Sequence, residues 1–463
     1  MQKTLLFKAI IIGVLMLLIG VPLMMIESTI SERMRFRDEA VRSIAADSVG
    51  EQTLLGPVLT LPYSEIYEEE EIDATTKKAA IRKYSLAHQV FIYPNTLSIK
   101  GLIDTDRHYR GIHKVLIYSG QHAISGDFVL PLMENLPKDK LASHIKMGTP
   151  YISLGLSDTR GLHNFPRLNW GGASYEFKQE SKLRSLQTGL HAPLNVMELQ
   201  TPETIKFSLD LAIDGIERMS FVPIAKNNQI SIASKWPHPQ FGGRFLPSPK
   251  DRKIDQNGFS ATWNISALSS SAQQQMSMRE TGTATGQNTA SGDTSPATIL
   301  DNFSVAFIEP VNVYSQADRA IKYGMLFVAL TFAAFFLFEM LKQLPIHPVQ
   351  YTLVGLALTV FFLLLVSLSE HISFVHSYLL ASGACILLIG FYLSHVLRSW
   401  KRGMGFGSGL TLLYGVLFGL LQSENNALIM GSILLFSVLS ATMVITRKVD
   451  WYQLGKSSTP APN

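Results

Sequence analysis

The chain has 463 residues, of which 47% are hydrophobic and only 16% charged, with a mean hydropathy of +0.18. An ordinary soluble domain carries about 25% charged residues, so these averages exclude a disordered chain and point to a membrane protein. The single cysteine, Cys385, excludes an intrachain disulfide framework and a Cys-based zinc site, while a net charge of +4 would, taken alone, suggest nucleic acid.

The first element is Ala9–Ile26, an uncharged run of 18 residues. A helix needs about 20 mostly apolar residues to cross a bilayer, with a lower limit near 17. Lys3 and Lys8 give a basic start that also suits a signal peptide. The following Glu27-Ser28-Thr29-Ile30-Ser31 is a weak cleavage site, so an uncleaved anchor is expected over residues 1–26. Residues 27–56 read as a juxtamembrane helix. Ile30, Met34, Val41 and Ile44 or Ala45 fall on one face, with Arg33, Arg35, Arg37, Asp38 and Glu39 mostly off it.

Residues 57–318 read as a large β-rich domain, mainly antiparallel. Ile205, Phe207, Leu209, Leu211 and Ile213 alternate with polar or small residues, as do Phe259, Ala261, Trp263 and Ile265. Phe303–Phe307, Ile230–Ile232, Val58–Leu61, Val90–Tyr93 and Val115–Tyr118 add further strands. Asp214-Gly215 and Asn227-Asn228 read as turns. Two stretches look loose. Glu65–Asp73 contains four consecutive glutamates and reads as a solvated loop. Ser269–Ser295 is rich in Ser, Thr, Gln and Gly and reads as a disordered loop.

Five more apolar runs follow within residues 319–446: Tyr323–Phe338, Val349–Leu368, Phe374–Leu397, Met404–Leu421 and Ala427–Ile445. The fold class expected is therefore α+β: six transmembrane helices, one N-terminal and five C-terminal, carrying a large β-rich domain. Lys/Arg near helix ends mark the cytoplasmic side. Lys3, Lys8, Lys342, Arg398, Lys401, Arg402, Arg447, Lys448 and Lys456 all fall on one side of the alternation. The turns Ser369–Ser373 and Gln422–Asn426 on the other side contain none. Both termini, including the tail 447–463, are thus expected in the cytoplasm, and the large domain outside it. Trp400, Trp451 and Tyr452 suit the inner interface. Residues 27–318 hold 29 Lys/Arg against 32 Asp/Glu. The basic balance therefore belongs to the anchors, and nucleic acid is not an expected partner.

The chemical signatures are weak. The chain has no phosphate-binding loop, dinucleotide fingerprint, nucleophile elbow or HExxH zinc helix. No cofactor, metal or catalytic residue is expected. His108 and His113 are five apart, the wrong spacing for one helical face. Asp158 and Arg160 could act as an acid and an anion binder, or form a turn with a local salt bridge. Trp236 and His238, stiffened by Pro237 and Pro239, could form a binding edge or a packed corner. In the membrane region the ionisable candidates are Glu339, with Lys342 a possible partner, and Glu370 with His371. All lie near helix ends, whereas an ion-coupled transporter would usually need a charge at mid-depth. Gly415 and Gly419 suggest close helix packing.

Several motifs occurring in order resemble the CreD family, inner-membrane "cell envelope integrity" proteins of Gram-negative bacteria. They are Ala329-Leu330-Thr331-Phe332 with Phe338-Glu339, His347-Pro348 with Gln350-Tyr351, Ser367-Leu368-Ser369-Glu370-His371, and Asp450-Trp451-Tyr452. Asp158-x-Arg160-Gly161 and Trp236-Pro237-His238-Pro239 with Phe241-x-Gly243 extend the resemblance; Gln240 departs from the Ser expected there. The resemblance implies a role in envelope integrity, tolerance to colicin-type toxins and cell-wall stress, with expression tied to the CreBC two-component system. It carries over no catalytic residues. The expected partners are the lipid bilayer and a periplasmic or envelope component, with oligomeric state open. The alternatives are a transporter or lipid-handling protein using Glu339, Glu370 and His371, and a cell-wall enzyme using Asp158, Arg160 or His238.

Overall fold

The computed structural model describes residues 2–447 except 73–78, 112, 140–143, 198, 283–299, 310–312, 343–345, 397–398 and 423–426. Trp451, Tyr452, Arg398, Lys448, Lys456 and most of the turn before the last helix lie outside the described residues. The chain divides into two units, Met1–Asp38 with Val311–Asn463, and Glu39–Pro310.

The first unit is helical. Helix α1, Gln2–Asp47, runs without a break through the anchor segment and most of the expected juxtamembrane helix (27–56) but stops at Asp47, a strand beginning at Gln52; its last turns belong to the second unit. Ile12, Ile19, Leu23, Ile26 and Ile30 are buried, spaced three, four or seven residues apart along one stripe, while Ile10, Val14, Leu17, Val21 and Met24 stay exposed. A second helix, α2 (Ala272–Glu280), lies in the other unit. The remaining helices of the first unit are α3 (Val313–Lys322), α4 (Gly324–Lys342), α5 (Pro348–Ser369), α6 (Phe374–Val396), α7 (Trp400–Gln422) and α8 (Ala427–Thr446). The buried stripe of α1 shares a core with Tyr314, Phe332, Phe335, Tyr351, Phe361, Tyr378 and Tyr414. Leu353, Leu363, Leu379, Leu387 and Leu412 face outward. Large apolar side chains on the outside and aromatic rings within suit helices solvated by lipid.

Among the described residues, four helices are long and apolar enough to cross a membrane: α1, α5, α6 and α7. A fifth span forms if α3 and α4, bent by 41° at their junction, count as one. The Gly415/Gly419 pair does not mark a close contact as expected. A Cβ on Gly415 would meet nothing within 4 Å. Tight approaches lie elsewhere: a Cβ at Gly355 would come within 2.9 Å of the Ile19 and Phe332 side chains, and one at Gly403 within 2.8 Å of Ser394.

Among the described residues, the second unit holds seventeen strands. The first eight are β1 (Gln52–Ile72), β2 (Ala79–Ile92), β3 (Thr96–Arg110), β4 (His113–Val129), β5 (His144–Met147), β6 (Tyr151–Leu156), β7 (Arg167–Trp170) and β8 (Ala173–Glu176). Then come β9 (Lys178–Gln179), β10 (Gly189–Pro193), β11 (Thr204–Ile216), β12 (Arg218–Val222) and β13 (Asn227–Ser234). The last are β14 (Pro239–Gly243), β15 (Arg252–Asp255), β16 (Gly258–Ser266) and β17 (Phe303–Phe307). One sheet runs β14-β17-β12-β1-β6-β10-β9, with β2 and β5 also paired to β1. The other runs β15-β16-β13-β3-β4-β11-β7-β8. Both are mixed, because β1–β12 and β3–β13 are parallel. Leu59, Leu61 and Ile152 from the first sheet share one core with Ile99, Phe128, Leu209 and Trp263 from the second.

Three expectations are corrected here. The glutamate run is not a loop: Glu68–Glu71 continue β1, paired with Lys83, Arg82, Ile81 and Ala80 of β2. Cross-strand cations at two of these positions offset the like charges. Asp214-Gly215 is not a turn but lies in β11, and the chain turns at Glu217, which has φ 50°. Part of the stretch read as disordered, Ala272–Glu280, is helix α2. It buries Ala272 and Met276 against Leu55, Val58, Leu183 and Ile224 in a small second core. The rest of that stretch from 283 lies outside the described residues.

Candidate functional site

Two carboxylates of the helical unit, Glu339 and Glu370, clasp α1. Glu339, near the end of α4, is buried. It accepts from Tyr351 Oη of α5 at 2.9 Å, from the Ile346 backbone N–H at 3.2 Å, and from Lys8 Nζ of α1. Lys342 is a less informative candidate, since its side chain lies outside the described residues. Glu370, just past the end of α5, pairs with Arg33 Nε of α1 at 3.3 Å and accepts from Tyr314 Oη of α3 at 3.4 Å. His371 is exposed in the turn that follows, its backbone N–H donating to Leu368 at 3.0 Å. On a helix rising 1.5 Å per residue, Lys8 and Arg33 are about 38 Å apart. That distance brackets a hydrocarbon core of about 30 Å. The two carboxylates therefore tie an N-terminal helix to helices more than 300 residues later, at both ends of its apolar stretch. Sequence reasoning found both glutamates and missed their partners. The signal was present, because Lys8 and Glu339 are opposite charges that flank apolar runs.

Between α4 and α7 lies a cavity of about 630 Å³. Leu330, Ala334, Phe338, Leu413 and Val416 make it apolar, and Lys401 and Arg402 stand in its lining. Glu339, Glu370 and His371 are not part of that lining.

In the β unit, Asp158 and Arg160 form a cap rather than an open acid and anion binder. The Asp158 carboxylate accepts from the Gly50 N–H at 3.1 Å and from Arg160 Nη2 at 2.6 Å. Arg160 donates in turn to the carbonyls of Ala46 at 2.6 Å and Ala45 at 2.9 Å. Those carbonyls belong to the last turn of α1, which has no intrahelical partners for them. A guanidinium there satisfies them and complements the negative end of the helix dipole. Gln52 Nε2 completes the knot, donating to the carbonyls of Asp158 at 2.7 Å and Asp214 at 3.0 Å. Gly161 must be glycine, because a Cβ there would lie 2.3 Å from the Asp214 carbonyl oxygen. Burial would raise the Asp158 pKa, but the bonds from Arg160 and Gly50 outweigh it and hold the carboxyl below its ordinary value.

Trp236 is half-buried at a loop corner, and His238 beside it is exposed. Trp236 Nε1 donates to the Ile308 carbonyl at 3.0 Å, and the His238 ring meets the indole edge-on at 6.1 Å. Arg107 lies over the indole, 5.2 Å from its centroid, and bonds Glu309 at 2.6 Å. Arg110, three residues further along β3, bonds Asp47 at 2.6 Å. The end of β3 thus holds both the segment where the chain enters this unit and the one where it leaves.

Sequence reasoning missed one further constellation. Glu65, His88 and Asp139 bring their ligand atoms within 4.8 Å of one another. They were invisible in sequence because Glu65 sat in an apparent loop and the three lie on separate segments.

The chain matches the family model "Inner membrane protein CreD" over residues 4–452. It is 33% identical over 436 residues to "Inner membrane protein CreD" of Escherichia coli (strain K12), covering 94% of this chain and 91% of that protein. Among solved structures, an M1 zinc metallopeptidase from Deinococcus radiodurans aligns at 8% identity and a TM-score of 0.17, covering 37% of this chain and 38% of that one. A likeness so slight supports no conclusion about fold or activity. Family match and identity run through both units, so the chain belongs to the CreD family of inner membrane proteins.

Proposed function

We propose that this protein supports cell envelope integrity and tolerance of cell-wall stress, and that its β unit lies in the periplasm and binds an envelope component or periplasmic protein. The observation that carries this reading is a two-sheet domain with its own core, Glu39–Pro310, inserted between apolar helices. Its most suggestive polar residues, Asp158, Arg160 and Trp236, are engaged in holding the ends of that domain. The membrane part is read as six spans: α1, the α3–α4 pair, α5, α6, α7 and α8. The Lys/Arg distribution supports a cytoplasmic location for both termini. Deleting residues 57–310 while retaining the helices should abolish protection against envelope stress at unchanged protein level. Full protection by the truncated protein would refute the reading.

The cavity between α4 and α7 favours a second reading, the handling of an anionic lipid. Its apolar wall suits acyl chains, and Lys401 and Arg402 suit a phosphate headgroup. Mass spectrometry of lipids retained by the purified protein tests it. Replacing both cations with Ala should deplete anionic lipids relative to neutral ones, and an unchanged profile would remove the reading.

A further inference from the structure

We infer that Glu65, His88 and Asp139 form a binding site for a divalent transition-metal ion, with Zn²⁺ the best-matched occupant. The inference stands apart from the function proposed above and rests on the β unit alone.

The three residues reach one point from three directions. Glu65 lies in β1, between β2 and β5, and its register partners are Leu86 and Ile145. Tyr63 is opposite His88 in the β1–β2 ladder. Side chains alternate across a strand, so Tyr63, Glu65 and His88 share one face. Asp139 comes from the segment after Leu136. Tyr63 Oη holds that segment by donating to the Pro137 carbonyl at 2.7 Å, while its ring stacks on His88 at 5.2 Å. The Asp139 backbone N–H donates to Glu65 Oε2 at 2.9 Å. These contacts orient the His88 ring and Glu65 Oε2 and hold the backbone at Asp139 beside them.

The spacing suits an ion. His88 Nε2 is 3.1 Å from Glu65 Oε2 and 3.9 Å from Asp139 Oδ2. Ligands about 2.0–2.1 Å from a tetrahedral Zn²⁺ stand roughly 3.3 Å from each other. Only Asp139 needs to swing inward, and its side chain is 67% exposed. Glu65, by contrast, is fully buried. One nitrogen and two oxygen donors form a set that borderline divalent ions accept, with the exposed side left for water.

The test uses full-length protein in detergent, stripped with a chelator and desalted. Titration of Zn²⁺ against a chromophoric competitor should give one equivalent per chain. Co²⁺ in its place should give visible d–d absorption that Zn²⁺ abolishes. His88→Gln and Asp139→Asn should each weaken Zn²⁺ binding at least tenfold and remove or shift the Co²⁺ bands. If His88→Gln fails to fold, Asp139→Asn decides, because its exposed side chain makes it the least disruptive change. Binding as tight in Asp139→Asn as in the unaltered protein would overturn the inference, as would no stoichiometric Zn²⁺ on the unaltered protein.

Discussion

The clasp at Glu339 makes a quantitative prediction about how the two ends of this chain assemble. Glu339→Gln removes the charge facing Lys8 but leaves an amide oxygen for Tyr351 or Ile346. Lys8→Met removes the cation and retains an apolar stem. Breaking a fully buried ion pair from one side costs about 3–5 kcal/mol, and an exposed pair contributes about 0.2–1 kcal/mol. The Glu339 side chain is 10% exposed and that of Lys8 26%, so the pair falls between these limits. We expect about 2 kcal/mol for Glu339→Gln and about 1 kcal/mol for Lys8→Met. The double variant should cost about 1 kcal/mol less than the two combined. At roughly 2–4 °C per kcal/mol, Glu339→Gln should lower Tm by about 4–8 °C. The sole cysteine, Cys385, is buried in α6 and provides the assay. A thiol-reactive fluorophore added to the detergent-solubilised protein reports unfolding of the helical unit alone. Strict additivity of the two substitutions, or no shift from either, would show that the clasp contributes nothing to holding α1.

Three further outcomes follow from the β unit. His122 is fully buried, neither ring nitrogen has a hydrogen-bond partner among the described residues, and burial lowers its pKa to about 4. The unfolded state, with a pKa near 6.5, then binds the extra proton first. This stability is complete above about pH 6.5 and about 3 kcal/mol of it is lost as pH falls to 4. His122→Leu should flatten that dependence in a tryptophan-fluorescence unfolding series, and an unchanged slope would refute the assignment. Asp158→Ala should raise amide exchange at Gly50 about tenfold, as expected for the loss of one charge-assisted bond. Because the Asp158 carboxyl is held below its ordinary value, the cap persists above that value and releases as pH falls through the lowered one. Equal exchange in both proteins would show that the cap is idle. Met276 is completely buried, so Met276→Ala should cost about 2–3 kcal/mol in thermal unfolding. A neutral result would mean that α2 is not docked.

Local pattern carried much of the fold. The apolar runs became helices, with α5 and α6 meeting at the predicted turn Ser369–Ser373, and the alternating segments at 205–213 and 259–265 became β11 and β16. These features depend on the period of hydrophobicity, which is written along the chain. The errors came where a partner elsewhere overruled composition. Glu68–Glu71 look like a solvated loop until β2 supplies Lys83 and Arg82 opposite them. Ala272–Glu280 looks disordered until Leu55 and Ile224 offer a surface for Met276. Gly415 looks like a packing motif, yet helices close on other glycines: α1 on Gly355 and α6 on Gly403.

The sequence by itself determined that apolar helices flank a charge-balanced insertion, because hydropathy and Lys/Arg placement are sums over neighbouring residues. It also marked the residues of interest: Asp158, Arg160, Trp236, Glu339 and Glu370. Only the tertiary structure decided what they do. Arg160 meets the end of α1 across 114 positions, and Glu339 meets Lys8 across 331. Glu65, His88 and Asp139 converge from β1, β2 and a loop. The strength of an ion pair, the fit of a metal and the role of a cap all depend on distance and burial. Neither quantity exists until the chain has brought remote segments together.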